Sequence, residues 1–226
     1  MSILVTILSW NRRKILKKTV DSFMSKHDGV DYLAWDNGST DGAVEMLKSR
    51  GIEVMSSPSN VGIFEGTKFM WMEANDRGYE FVINLQNDFP CIRKIPLDDM
   101  VDYMRANEDV GFVLLNDKRK MKKISHTGRV SIKTRKCDIN KLTGEKIRLG
   151  KPKKVGETSF IKFNHHFTFN PTFVRVSILP DIMVDNPKSR ERGIMEGFQK
   201  TKLSAAKSHK HYFETILRGR LDGWIH

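Results

Sequence analysis

Ile3-Leu4-Val5-Thr6-Ile7-Leu8-Ser9-Trp10-Asn11-Arg12 decides the fold: an almost unbroken apolar run, rich in β-branched residues, that ends in Ser9-Trp10-Asn11-Arg12. A run of this kind reads as a strand buried on both faces of a mostly parallel sheet, and Phe81 to Leu85 reads the same way.

Working outward, Ile15, Leu16, Thr19, Val20 and Phe23 recur at helical spacing, with Lys14, Lys17 and Lys18 pointing away and Asn11 placed as the N-cap. A strand at Tyr32 to Trp35 stops abruptly in Asp36-Asn37-Gly38-Ser39-Thr40-Asp41-Gly42, which leads into a short helix ending near Gly51. A third unit has Ile52 to Met55 as strand and Ile63, Thr67, Met70, Trp71 and Ala74 as one helix face. This alternation predicts an open α/β sheet flanked by helices, with ligand-binding loops at the carboxyl ends of its strands.

Every polar cluster named so far falls at such a carboxyl end. Asp36 directly follows a strand, where a fixed carboxylate accepts hydrogen bonds from a base or ribose, and the adjoining glycine lets the backbone approach a ligand. Asp88, in Leu85-Gln86-Asn87-Asp88, is placed as a hard oxygen ligand for a divalent cation holding a diphosphate. Each has a plainer reading, Asp-Asn-Gly-Ser as turn chemistry and a strand-end Asp as a helix cap. Their joint placement at matching strand ends favours a site.

The order strand, Asn11-Arg12, helix, Asp36 through Gly42, Asn60-Val61-Gly62, then a strand ending in Gln86-Asn87-Asp88 resembles the GT-A-fold glycosyltransferases of family 2. The resemblance covers roughly residues 2 to 90 well and the remainder loosely. It implies a nucleoside-diphosphate sugar donor, with Asp36 at the base and Ser9, Asn11, Asn37, Asn60, Gly62, Lys68, Gln86 and Asn87 as further donor contacts. It also implies Mn²⁺ or Mg²⁺ on Asp88, with a late histidine, His209 or His211, completing the shell. The pattern departs at Gln86, where the family's first acid stands. An amide oxygen is a weaker ligand for a hard cation than a carboxylate. Deoxysugar-transferring members are similar in carrying an amide there, so the donor sugar stays open.

The chain has 226 residues, enough for one α/β domain with a sizeable core, and no Pro/Gly/Ser linker or internal repeat divides it. The expected organisation is one GT-A-like domain over 1–226, with a donor half at 1–92, an acceptor half at 93–226 and a basic insertion at about 117–155. No leader is expected, no apolar run approaches the ~20 residues that span a bilayer, and the cytoplasm is the expected location. Cys91 and Cys137 are too few and too isolated for a disulfide framework or a zinc site.

The net charge of +12 is concentrated. Residues Lys118 to Lys154 hold fifteen Lys and Arg against Asp138 and Glu145, a local balance of +13. Gly128 to Ile132 and Lys146 to Leu149 read as the arms of an inserted basic β-hairpin. Such a segment is either a solvated loop or a positive field for an anionic partner, with Lys118, Lys120, Lys122 and Lys123 as acceptor contacts. It carries no Trp or Phe of the kind that anchors a membrane interface, which leans the reading toward nucleic acid.

The second half is expected to build the acceptor side. Phe160 to Phe163 reads as a strand, followed by His165 and His166 as acceptor-pocket candidates and a helix-like stretch through Val174 and Ile178. In inverting family members a carboxylate at a later helix start removes the acceptor proton, which the resemblance places on Glu191 or Glu196. The expected function is metal-assisted transfer of a hexosyl or deoxyhexosyl group to an acceptor hydroxyl, DNA bearing a hydroxylated base being one acceptor that the charge admits. Two alternatives stand beside it: a rhamnosyltransferase-like enzyme acting on a surface glycan or lipid-linked sugar, and an inactive GT-A-like module that binds nucleic acid.

Overall fold

The computed structural model describes residues 2–115, 123–124, 130–131, 148–164, 171–183, 190–210 and 212–213. The element order opens with β1 (Ile3–Ser9), α1 (Arg13–Met24), β2 (Asp31–Asp36), α2 (Ala43–Lys48), β3 (Glu53–Ser56), α3 (Gly62–Asp76) and β4 (Phe81–Gln86). It continues with α4 (Leu97–Arg105), β5 (Val110–Leu114), β6 (Lys123–Ile124), β7 (Val130–Ser131), β8 (Leu149–Val155), β9 (Thr158–Phe163) and β10 (Thr172–Arg175). A 3-10 turn (Val176–Ile178), α5 (Leu179–Ile182), α6 (Arg190–Lys200) and β11 (Ser204–Ser208) complete the described part.

The described strands form a nine-stranded sheet in the order β3-β2-β1-β4-β10-β5-β11-β9-β8, with β6 and β7 paired separately. The block β3-β2-β1-β4 is parallel throughout, as the fully apolar runs of β1 and β4 require. Beyond β4, β10 runs antiparallel to both β4 and β5, and β11 returns parallel to β5. Alternation along the strands divides the core. Ile3, Val5 and Ile7 pack with α1, α2 and α4 on one face, whereas Leu4, Leu33, Trp35 and Val82 pack with α3, α5 and α6 on the other.

The helix-like stretch expected through Val174 is instead strand β10. Thr172-Phe173-Val174 has β-branched and aromatic side chains and fills the gap between β4 and β5, where pairing on both edges overrides a local helical reading. The expected arms of the basic hairpin pair differently from one another. Val130–Ser131 lies against Lys123–Ile124, while Leu149 opens β8, which pairs antiparallel with β9 and forms the outer edge of the sheet. Most of the expected insertion lies outside the described residues. Among them, no helix is long and apolar enough to cross a membrane.

Candidate active site

A cleft of about 320 Å³ opens where the carboxyl ends of β1 and β4 meet the start of α3. Strand alternation supplies its floor. Leu8 and Gln86 are register partners on adjacent parallel strands, and Asn84 shares their face two residues earlier. Gly62, Ile63 and Thr67 of α3 form one wall, Asn87 and Asp88 the other, and Trp10, Arg12, Asn37 and Asn60 ring the mouth. Helix α3 sits this close because residue 66 is glycine: a Cβ there would come within 2.5 Å of Trp35 and 2.7 Å of Leu8. Ile63, expected on the buried helix face, is 48% exposed at the mouth.

Two loops are laced together beside the cleft. The backbone N–H of Asn11 donates to Ser39 Oγ at 2.7 Å, and Asn11 Oδ1 accepts from the Thr40 N–H at 3.0 Å. Asn11 and Arg12 both hold left-handed backbone, with φ of 51° and 60°, a costly conformation that neighbouring contacts must enforce. Asn11 is therefore not the N-cap of α1. Arg12 occupies that position without a side-chain cap of its own, and Asp41 Oδ2 accepts from the Arg13 N–H at 2.6 Å across the loop. Gly38 has φ 73°, and a Cβ there would lie 3.1 Å from the Ser59 backbone, so this turn too requires glycine.

Asp36 is the anchor of the second loop. It is 1% exposed, and its two carboxylate oxygens accept from the Ser39 N–H at 2.7 Å and the Ser39 hydroxyl at 2.6 Å. Asn37, next along, lines the cleft; its Oδ1 accepts from the Trp35 indole N–H at 2.9 Å and its amide donates to the Gly62 carbonyl at 3.4 Å. Asn60 Oδ1 accepts from the Gly62 N–H at 2.8 Å, a side-chain turn that sets the entry of α3.

Of the expected donor contacts, Asn37, Asn60, Gly62, Gln86 and Asn87 come together in this cleft, and so does Asp88, the expected metal ligand. Ser9, Asn11, Asp36 and Lys68 are not among its lining residues. Ser9 faces the α1 side of the sheet with its hydroxyl buried and without a partner among the described residues, and Lys68 holds its ammonium 5.9 Å over the Phe64 ring. Leu8, Trp10, Arg12, Thr67 and Asn84 line the cleft without having been singled out as site residues. Asn84 carried a readable signal, an amide inside an otherwise apolar strand. Trp10 and Arg12 belong to the Ser9-Trp10-Asn11-Arg12 motif at the end of β1.

The donor set suits a divalent cation bound in part by its substrate. Asp88 offers a carboxylate, Gln86 and Asn87 offer amides, and a Mg²⁺-like ion is commonly held by one or two carboxylates together with phosphate oxygens. Among the described residues no group of three His, Cys, Asp or Glu side chains is poised around a metal. His209 does not join Asp88. It follows β11, three strand spacings or roughly 14 Å from β4, and its Nδ1 accepts from the Ser159 N–H at 3.0 Å. His211, His165, His166, Lys118, Lys120 and Lys122 lie outside the described residues, and Lys123 is described only by its pairing in β6. Glu191 and Glu196 lie on α6, which packs on the same face of the sheet as α3 and contributes none of the described lining residues. Glu196 is half-buried, and the side chain of Glu191 lies outside the described part.

Below the cleft, Cys91 is 2% exposed, and burial pushes its thiol up to about 11. The Ile92 N–H donates to the Tyr212 carbonyl at 2.8 Å, and Cys91 bridges to Phe213. The loop that follows Asp88 is thus tied to the chain segment that leaves β11.

The model of the glycosyl transferase family 2 matches residues 4–169. No curated protein sequence matches the chain. Among solved structures, S. aureus TarS 1-349 superposes with a TM-score of 0.60 at 16% identity, over 94% of this chain and 60% of that one. The same fragment in complex with UDP gives a TM-score of 0.61 at 16% identity, with the same coverage. Glucosyl-3-phosphoglycerate synthase from Mycobacterium tuberculosis, in complex with Mn²⁺, UDP and glucosyl-3-phosphoglycerate, gives 0.58 at 14% identity, over 97% of this chain and 72% of that one. The chain therefore spans less than two thirds of the TarS fragment's length. At these identities the likeness establishes the fold, a GT-A sheet flanked by helices.

Proposed function

The chain belongs to glycosyl transferase family 2, and we propose that it moves a sugar from a nucleoside-diphosphate donor to an acceptor hydroxyl, using the cleft over β1 and β4. The observation that carries this reading is the convergence of Asn37, Asn60, Gly62, Gln86, Asn87 and Asp88 on one cleft of about 320 Å³ at the carboxyl ends of parallel strands.

In this reading the nucleoside lies by the Asp36–Asn37 loop. Asp36 keeps that loop in shape through Ser39, and Asn37, next to it, lines the cleft on the side where the base lies. The diphosphate lies toward Asp88, with Arg12 at the mouth and the amino end of α3 supplying positive potential. Asp88, helped by Gln86, would hold Mn²⁺ or Mg²⁺, which supplies charge neutralisation for the leaving diphosphate. The mouth residues Trp10 and Ile63, 43% and 48% exposed, screen the cleft from water when a donor covers them. A carboxylate on α6, Glu191 or Glu196, takes the proton from the acceptor hydroxyl, and attack from the face opposite the diphosphate inverts the anomeric centre. The acceptor is a polyanion, DNA carrying a hydroxylated base in the reading that the charge favours, and such a base in a duplex must be flipped out to react.

The test is release of nucleoside diphosphate from UDP-, GDP-, dTDP- and CDP-sugars with Mn²⁺ present, with and without hydroxylated DNA. Acceptor-stimulated release that falls at least about a hundredfold in Glu191→Gln or Glu196→Gln is expected. Release that ignores both carboxylates removes the base assignment, and absence of release with every donor removes the enzyme reading.

A further inference from the structure

We infer that the outer edge strand β8 is an anchoring surface for the phosphate backbone of a nucleic-acid duplex, separate from the transfer cleft. The inference rests on the proposed transfer to a polyanion, and it places that contact on described residues outside the Lys118 to Lys123 run.

Four cations follow one another along this edge. Arg148, Lys151, Lys153 and Lys154 are all exposed, and no acidic residue interrupts them until Glu157 at the following turn. At a strand rise of about 3.3 Å per residue they span roughly 20 Å. Their charges are not cancelled within the strand. The nearby Lys162 is ion-paired with Asp109 at 2.7 Å and adds nothing, whereas the partner of Lys153 among the described residues is a neutral amide, Asn107 Oδ1, at 3.5 Å. An open groove of about 620 Å³ lies at the start of the strand, with Arg148, Asn164 and Ser204 among its walls.

The strand's direction gives this row a use. β8 pairs antiparallel with β9, and β9 antiparallel with β11, so β8 runs in the same sense as β11, β5 and β1. Lys153 and Lys154 therefore stand at the end of the sheet where the cleft opens, and Arg148 at the opposite end. Five strand spacings separate β4 from β8, about 24 Å, which is the rise of roughly seven base pairs. A duplex crossing that end of the sheet meets Lys153 and Lys154 while a nucleotide seven or so pairs away reaches the cleft. A duplex carries one charge per about 1.7 Å of axis, so several phosphates lie within reach of each of these cations. A membrane surface fits less well, because β8 carries no aromatic residue and Leu149, 55% exposed, is its one large apolar side chain exposed to solvent.

Lysine and proline on a sheet edge also serve to block edge-to-edge pairing. The experiment tells the two roles apart. Binding of a 20-base-pair duplex is followed by fluorescence anisotropy across a salt series for the full chain and for the triple variant Lys151→Ser, Lys153→Ser, Lys154→Ser. The expected result is a log-log salt slope that flattens by about 0.9 per lysine, close to 2.7 in all. An unchanged slope with increased aggregation of the variant overturns the inference in favour of edge protection. No duplex binding by wild type, or binding only to anionic vesicles, also overturns it. Nucleotide-induced thermal shifts on the same two proteins show that the variant is folded. They also report separately on the donor cleft, so its failure is not confused with that of β8.

Discussion

His27 shows how a single side chain joins the end of α1 to the segment that leads into α4. It is 4% exposed and stacks on Phe23 with 4.2 Å between centroids; its Nδ1–H donates to the Phe23 carbonyl at 2.9 Å and its Nε2 accepts from the Ile95 N–H at 2.8 Å. Both nitrogens are thereby assigned to the neutral ring, and burial, with Lys94 and Lys26 adding to it, holds the imidazole below its ordinary pKa. In the unfolded chain the ring takes up a proton near pH 6.5; in the native state it resists until lower pH. Unfolding is then favoured as pH falls below about 6.5, and this contribution to stability is present above that value. Asp21, Glu53 and Glu80, held low chiefly by hydrogen bonds from Arg50, Arg77 and Arg105, act in a separate window, below about pH 4.5. Urea midpoints measured from pH 7.5 to 5.5 should decline for wild type. His27→Leu should lack that decline and be less stable at pH 7.5 by about 1–3 kcal/mol, because the Ile95 N–H loses its acceptor. Identical pH profiles for the two proteins would rule out this role.

At the scale of elements, the turn between β8 and β9 is locked onto α4. Asp99 Oδ2 accepts from the Thr158 hydroxyl at 2.7 Å and the Glu157 N–H at 3.1 Å, and Gly156 sits beneath it with φ 53° and no room for a Cβ, which would fall 2.0 Å from Asp99 Oδ1. Gly156→Ala is expected to cost about 1–3 kcal/mol from backbone strain and overpacking. Part of that cost disappears once Asp99→Ala has removed the clash, so the two substitutions should be less than additive in a denaturation cycle. Strict additivity would show that the turn and α4 are not coupled. None of this contact was legible beforehand, since it joins residues far apart in sequence. The strands of the donor half were legible to within about a residue at either end, because buried parallel strands leave continuous apolar runs. β10 was not, because its strand character comes from β4 and β5 on either side of it.

Across the whole molecule, the sheet changes character at β4. On one side lie the parallel strands whose ends carry the polar motifs, and on the other the mixed strands that end in the basic edge. The motif residues were legible as a set, and five of the expected donor contacts converge on one cleft together with Asp88, the expected metal ligand. What spacing did not reveal is the division of labour among them: Asp36 and Asn11 shape the loops, while Asn37, Gln86, Asn87 and Asp88 face the cavity. Side-chain direction in a loop depends on backbone conformation, here two successive left-handed residues, and not on sequence interval.

The central claim, that this cleft binds a nucleoside diphosphate through Asp88, is tested most directly by thermal shifts with UDP, GDP, dTDP and CDP, each with and without Mn²⁺, on wild type and Asp88→Ala. A ligand that binds only the native state raises stability by mass action, about 2.7 kcal/mol at a hundredfold excess over Kd. One nucleotide should raise the wild-type melting temperature with Mn²⁺ present, and that shift should vanish in Asp88→Ala. An equal shift in both proteins, or none with any nucleotide, would contradict the account.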